Sequence, residues 1–165
     1  MLLSTVHGSN LYGLAGPASD WDGYEVVLTG RTWQRIHGHT DITTVVLDDF
    51  TTQVAKGVPQ ALEALWSPYR FVARNWAGFF EGLRPDYWRT LDTYARTIRS
   101  FMWVAVERDD VKRARHAMRL ALNRETFAEQ GRFNPRLDPL EHTVVLSTTP
   151  ENVQDALTAL GLDWT

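Results

Sequence analysis

The stretch that most constrains this chain is Val6-His7-Gly8-Ser9-Asn10-Leu11-Tyr12-Gly13-Leu14, followed by Pro17-Ala18-Ser19-Asp20-Trp21-Asp22-Gly23-Tyr24-Glu25-Val26-Val27. An apolar run ends in a pair of small residues, and a Gly- and Pro-rich connection leads to two aspartates one residue apart. Another apolar run follows at once. Residues i and i+2 of a strand point to the same side. Asp20 and Asp22 are therefore expected to aim both carboxylates at one point, with Trp21 facing away. Two hard oxygen ligands converging there make a site for Mg²⁺ or Mn²⁺. Gly8-Ser9 supplies a tight turn whose N–H groups and hydroxyl suit phosphate oxygens.

Around this motif the pattern alternates between strand and helix. Residues 2–7 are apolar and β-branched and read as a buried strand; Tyr24 to Thr29 reads as a second, and Asp41 to Leu47 as a third. Residues 10–19 start as one helical turn, and residues 30–40 lack periodicity and read as a loop. Asp48 is the expected N-cap of a helix from Asp49 to Lys56, and Pro59 opens the next, through Trp66. Residues 69–80 read as an interrupted helix, and Asp86 as the cap of a long amphipathic one. A further helix is expected over residues 110–123, and a last one from Pro150, capped by Thr149. Residues 143–146 fit a strand or a helical turn. The fold class expected is α/β of the α+β kind: a small mixed sheet over residues 1–58, then helices over 59–165 packed on it as one compact domain.

The ordered set Gly8-Ser9, Leu11-Tyr12-Gly13-Leu14, Ser19-Asp20-x-Asp22 resembles the signature of the DNA polymerase beta superfamily of nucleotidyltransferases. It is closer still to the predicted nucleotidyltransferases of the RNA-repair-pathway type in bacteria and phages. The resemblance runs from Gly8 to about Gly131, firmest at the N-terminal motif. It implies a minimal nucleotidyltransferase sheet followed by helices. Most superfamily members place a helix before the Gly-Ser strand, whereas this chain begins on the strand, so another element is expected to cover that sheet face.

Nucleotidyl transfer sets an acceptor hydroxyl in line with an α-phosphate and neutralises the developing charge with divalent cations. Two cations need more than two carboxylates, so a third acidic residue is expected on a neighbouring strand. Asp41 opens the third strand, and related sequences carry an Asp before a similar stretch leading to Lys-Gly-x-Pro, here Lys56-Gly57-Val58-Pro59. The resemblance thus assigns Asp20, Asp22 and Asp41 as metal ligands, with Asp41 also activating the acceptor. Asp48 and Asp49 are rivals whose place before a helix suits capping. Gly8 and Ser9 would grip phosphate, with an ordinary turn serine as the alternative for Ser9; Tyr12 is equally a core aromatic or a flank to the nucleotide.

Downstream, Lys112, His116 and Arg119 fall at spacings of four and three, on one helix face. They match the family's cationic helix and are expected to clamp triphosphate oxygens and to face the aspartates; a solvated basic face with His116 partly packed is the plainer alternative. Glu63, acidic on an apolar helix, is expected to pair with one of these cations rather than bind metal. His37 and His39 read as loop histidines.

Charge is segregated: residues 1–60 carry a net −3, residues 61–136 a net +5 and residues 137–165 a net −5. That layout suits a polyphosphate held between carboxylates and arginines. The chain has no cysteine, which excludes disulfides, thiolate zinc sites and a cysteine nucleophile. No apolar run nears the roughly 20 residues that span a bilayer, and the N-terminus lacks a basic signal region. The expectation is a cytoplasmic enzyme of a bacterium or a phage-infected cell, with an NTP as substrate, Mg²⁺ or Mn²⁺ as cofactor, and no membrane partner. The resemblance implies an RNA end such as tRNA as acceptor. A protein hydroxyl, as in toxin–antitoxin nucleotidyltransferases, and a non-catalytic nucleotide- or partner-binding module are the alternatives.

Overall fold

A computed structural model describes residues 1–162. It is α+β, with a five-stranded mixed sheet and, among the described residues, eight α-helices. Two compact units divide the chain. The first comprises Met1–Asp86 with Asn134–Arg136; the second comprises Tyr87–Phe133 and the chain from Leu137.

The first unit holds the sheet. Its strands are β1 (Leu3–His7), β2 (Trp21–Val27), β3 (Trp33–His37), β4 (Thr40–Val46) and β5 (Phe71–Val72), in the order β3-β4-β2-β1-β5. β2 and β4 are parallel, and every other pair is antiparallel. β1 leads directly into a short helix, α1 (Gly8–Tyr12), ended by Gly13 in the left-handed conformation. α2 (Leu47–Ala55), α3 (Pro59–Trp66) and α4 (Ala77–Gly82) complete the unit.

Alternation along β2 decides which sheet face is covered. Tyr24 and Val26 are buried, and Tyr24 meets Phe50 of α2 with ring centroids 6.2 Å apart. Phe50 in turn meets Phe80 of α4 edge-on at 5.8 Å. Leu3, Val45, Phe50, Leu62 and Leu65 are all buried in this layer, each such side chain contributing about 1.5–3 kcal/mol relative to exposure. On the other face, Trp21, Trp33 and Phe71 are exposed.

In the second unit, α5 (Tyr87–Arg108) and α6 (Val111–Gln130) form an antiparallel hairpin. Thr90, Tyr94, Ile98, Met102 and Ala105 recur every three or four residues and are buried along α5. Asp110 caps α6 by accepting from the Arg113 N–H at 3.0 Å. α7 (Pro139–Ser147) and α8 (Val153–Ala159) pack on α6.

Residues 33–37, read as loop, are the edge strand β3; all five are exposed, so backbone pairing to β4 sustains them without any apolar pattern. The stretch 69–80 contains β5, a 3₁₀ turn at Arg74–Trp76 and α4 rather than one helix, so the region expected to be wholly helical also supplies a strand. α2 begins at Leu47, with Asp48 and Asp49 inside its first turn, where they complement the helix dipole instead of capping it. α6 continues to Gln130, where Gly131 ends it with φ +72°. α8 begins at Val153, and Asn152 rather than Thr149 precedes it. The undecided residues 143–146 are helical, in α7.

Candidate functional site

The site builds from one row of residues across the sheet. His7 of β1 is the register partner of Asp22 on β2, and Asp22 is the partner of Asp41 on β4. Ile36 of β3 completes the row. Register partners share a face, and Asp22 shares its face with Tyr24 and Val26, the face the helices cover. The two carboxylates are thus neighbours at the end of that face from which α1 departs.

Gly8 shapes the site by having no side chain. Its φ is +58°, and a Cβ built there would lie 1.8 Å from Asp22 Oδ2. The Asp22 carboxylate therefore packs directly against the Gly8 backbone, so both conformation and space require glycine. Ser9 follows in the first turn of α1, partly exposed, and its carbonyl accepts from Gly13 and Leu14 N–H groups.

Asp41 is held asymmetrically. Gln34 Nε2 donates to Asp41 Oδ2 at 2.6 Å. Asp41 Oδ1 is buried and has no hydrogen-bond partner among the described residues. A buried carboxylate oxygen without a donor costs on the order of 1–3 kcal/mol, and a bound cation would compensate it. That orphaned oxygen, beside a second carboxylate, fits a hard divalent ion.

Asp20 stands one residue before β2. Its side chain is 65% exposed, and His39 Nδ1 lies 2.8 Å from its Oδ1. The Asp20 carbonyl accepts from Asn10 Nδ2 at 2.9 Å, and the Trp21 N–H donates to the His39 carbonyl at 2.7 Å. The β3–β4 turn is thereby tied to the start of β2. Among the described residues, no group of three or more His, Asp or Glu side chains is arranged to hold a metal ion. The structure brings Asp22 and Asp41 together as neighbours and engages Asp20 with His39.

Behind the row lies a polar core that the motif does not announce. Glu63 of α3 is 1% exposed, accepts from the Tyr12 hydroxyl at 2.7 Å, and lies 3.4 Å from His7 Nε2. The His7 ring is tilted on Tyr24 at 5.6 Å and edge-on to Tyr12 at 6.3 Å. Tyr12 is a core aromatic. Burial pushes the Tyr24 phenol far above its ordinary pKa.

On the opposite, open face of the sheet, a shallow cavity of about 320 Å³ is lined by residues including Trp21, Gly23, Glu25, Ile42 and Phe71. It contains none of the three aspartates.

The cationic set lies on α6 of the second unit. Lys112 is exposed. His116 packs edge-on against Phe101 at 4.2 Å, and Arg119 Nη2 donates to His116 Nδ1 at 3.0 Å. Arg119 is 1% exposed and is the largest fully buried side chain. Lys112 and Arg119 thus differ in exposure despite their helical spacing. No helix among the described residues is long and apolar enough to cross a membrane. No family model matches the chain, and no curated protein matches it in sequence.

Proposed function

We propose that this protein is a metal-dependent nucleotidyltransferase that moves a nucleoside monophosphate from an NTP to a hydroxyl on an RNA end. The observation that carries the reading is the register pair Asp22 and Asp41, two carboxylates side by side on parallel strands, with Gly8 backed against one of them. The motif order that resembles the polymerase beta superfamily supports the same reading, since it picks out these residues from sequence alone.

In this reading Asp22 and Asp41 hold Mg²⁺ or Mn²⁺, with Asp20 as the third ligand. When bound, the ion supplies charge neutralisation for the transferring phosphoryl group. Gly8 and Ser9 receive phosphate oxygens. The acceptor hydroxyl gives its proton to Asp41 and attacks the α-phosphorus. A new O–P bond forms, the α–β bridging bond breaks, and pyrophosphate leaves. A cation at Asp20 would compete with His39, its present partner.

Incubation with each α-³²P-labelled NTP, Mg²⁺ or Mn²⁺, total RNA and cell protein tests the proposal. Label in RNA that disappears with Asp22→Asn supports it. Label in protein keeps the chemistry and moves the acceptor. No label in either overturns the enzymatic reading.

A further inference from the structure

We infer that Gln34, on the exposed edge strand β3, is the positioning residue for the Asp41 carboxylate, and that it must be a neutral donor to serve there. The inference rests on the metal-site reading above and extends it to a residue outside the motif. Three observations carry it. The Gln34 amide donates to Asp41 Oδ2 at 2.6 Å, while Oδ1 is buried and receives no hydrogen bond among the described residues. One oxygen is therefore fixed and the other left over. Gln34 itself is exposed, so burial does not dictate its identity. Finally, β3 pairs antiparallel with β4 in a register that sets Gln34 opposite Thr43, two residues from Asp41 and on its face of the sheet.

An amide at this position has a specific electrostatic consequence. It fixes the carboxylate's rotation without cancelling its charge, so the full negative charge stays available to a cation at Oδ1. A lysine or arginine at position 34 would also donate, but would neutralise Asp41 and compete with the metal. Glutamate would set two carboxylates against each other.

Mn²⁺ binding, followed by the electron paramagnetic resonance signal of the free ion, tests this without reference to turnover. Wild type, Asp41→Asn, Gln34→Ala and Gln34→Lys are compared, with thermal unfolding of each. Removal of the donor in Gln34→Ala should weaken Mn²⁺ binding about tenfold, the scale of an outer-shell partner. Gln34→Lys should weaken it further, although it restores a donor. A role limited to holding β3 in place predicts the opposite order, with Gln34→Lys near wild type. If wild type binds Mn²⁺, Asp41→Asn abolishes binding, and both Gln34 variants bind like wild type, the positioning role is overturned and the metal site stands. If wild type binds no Mn²⁺, or Asp41→Asn binds as well as wild type, the metal-site reading falls and this role falls with it.

Discussion

The Asp22 carboxylate occupies the space that any side chain at Gly8 would need: a Cβ there would lie 1.8 Å from Oδ2. The glycine of the motif and its second aspartate are one construction, made by β1 and β2 running antiparallel with His7 opposite Asp22.

Substituting Gly8 should expose that coupling. Gly8→Ala forces an L residue to φ +58°, which costs about 1–2 kcal/mol, and displaces the carboxylate as well. The expected result is a urea midpoint lowered by an amount equivalent to about 1–2 kcal/mol, together with loss of Mn²⁺ binding. Retention of full Mn²⁺ affinity at reduced stability would show that the Asp22 position does not matter to the site.

Asp22→Asn and Asp41→Asn keep volume and remove charge. Each is expected to reduce nucleotidyl transfer by more than about 100-fold, beyond the loss usual for outer-shell partners, with the fold intact by circular dichroism. Removing the repulsion between adjacent carboxylates should raise the melting temperature slightly in the absence of metal. A lowered melting temperature in both variants would argue that the pair is structural.

Tyr12 donates to a buried carboxylate, Glu63. Tyr12→Phe deletes that donor and leaves the acceptor in place, so chemical denaturation should register a loss of about 1–3 kcal/mol. A neutral result would mean that Glu63 finds another donor at no cost.

Alkaline pH offers a test of the covered sheet face. Burial raises the Tyr24 phenol above its ordinary value of 10.0. In the unfolded chain this tyrosine ionises first, so the folded state holds the proton over the interval between the two values. Stability is then fully present below about pH 10 and declines as pH rises above it. Absorbance titration should find fewer than the five tyrosines ionising before the protein unfolds, and Tyr24→Phe should flatten the alkaline decline.

On α6 the cationic residues are expected to separate by exposure. Lys112→Ala should leave stability within about 0.5 kcal/mol, because its side chain is exposed. Arg119→Ala should instead lower stability, because it empties a fully buried position. Equal stability changes in the two variants would contradict the difference in burial.

Much of this was legible from residue patterns. β1, β2 and β4 carry the β-branched runs that buried strands require, so all three are legible, although the run in β2 reads from Tyr24 while the strand starts at Trp21 and so includes Asp22. β3 is not, because Trp33-Gln34-Arg35-Ile36-His37 lies exposed at a sheet edge, where nothing imposes alternation. Without a signal for β3, the sequence does not reveal Gln34 as a neighbour of Asp41 or His39 as a partner of Asp20. A neutral amide in an apparent loop carries no signal of its own. α7 was ambiguous because Thr143, Val144 and Val145 are β-branched, yet its start was written plainly: Asp138 and Glu141 form a reciprocal capping box around Pro139. Arg119 shared the spacing of an exposed basic face, and only packing distinguishes it from Lys112.

The first unit returns for Asn134–Arg136 after the chain has built most of the helical unit. Arg136 then lies with its guanidinium 5.5 Å from the Tyr69 ring centroid and bonds to the Tyr69 hydroxyl. A gene fragment stopped at Asp86 would therefore encode the sheet without that fastening. The two units are not cassettes divisible at one junction, and recombination that exchanges either one intact must cross the chain more than once.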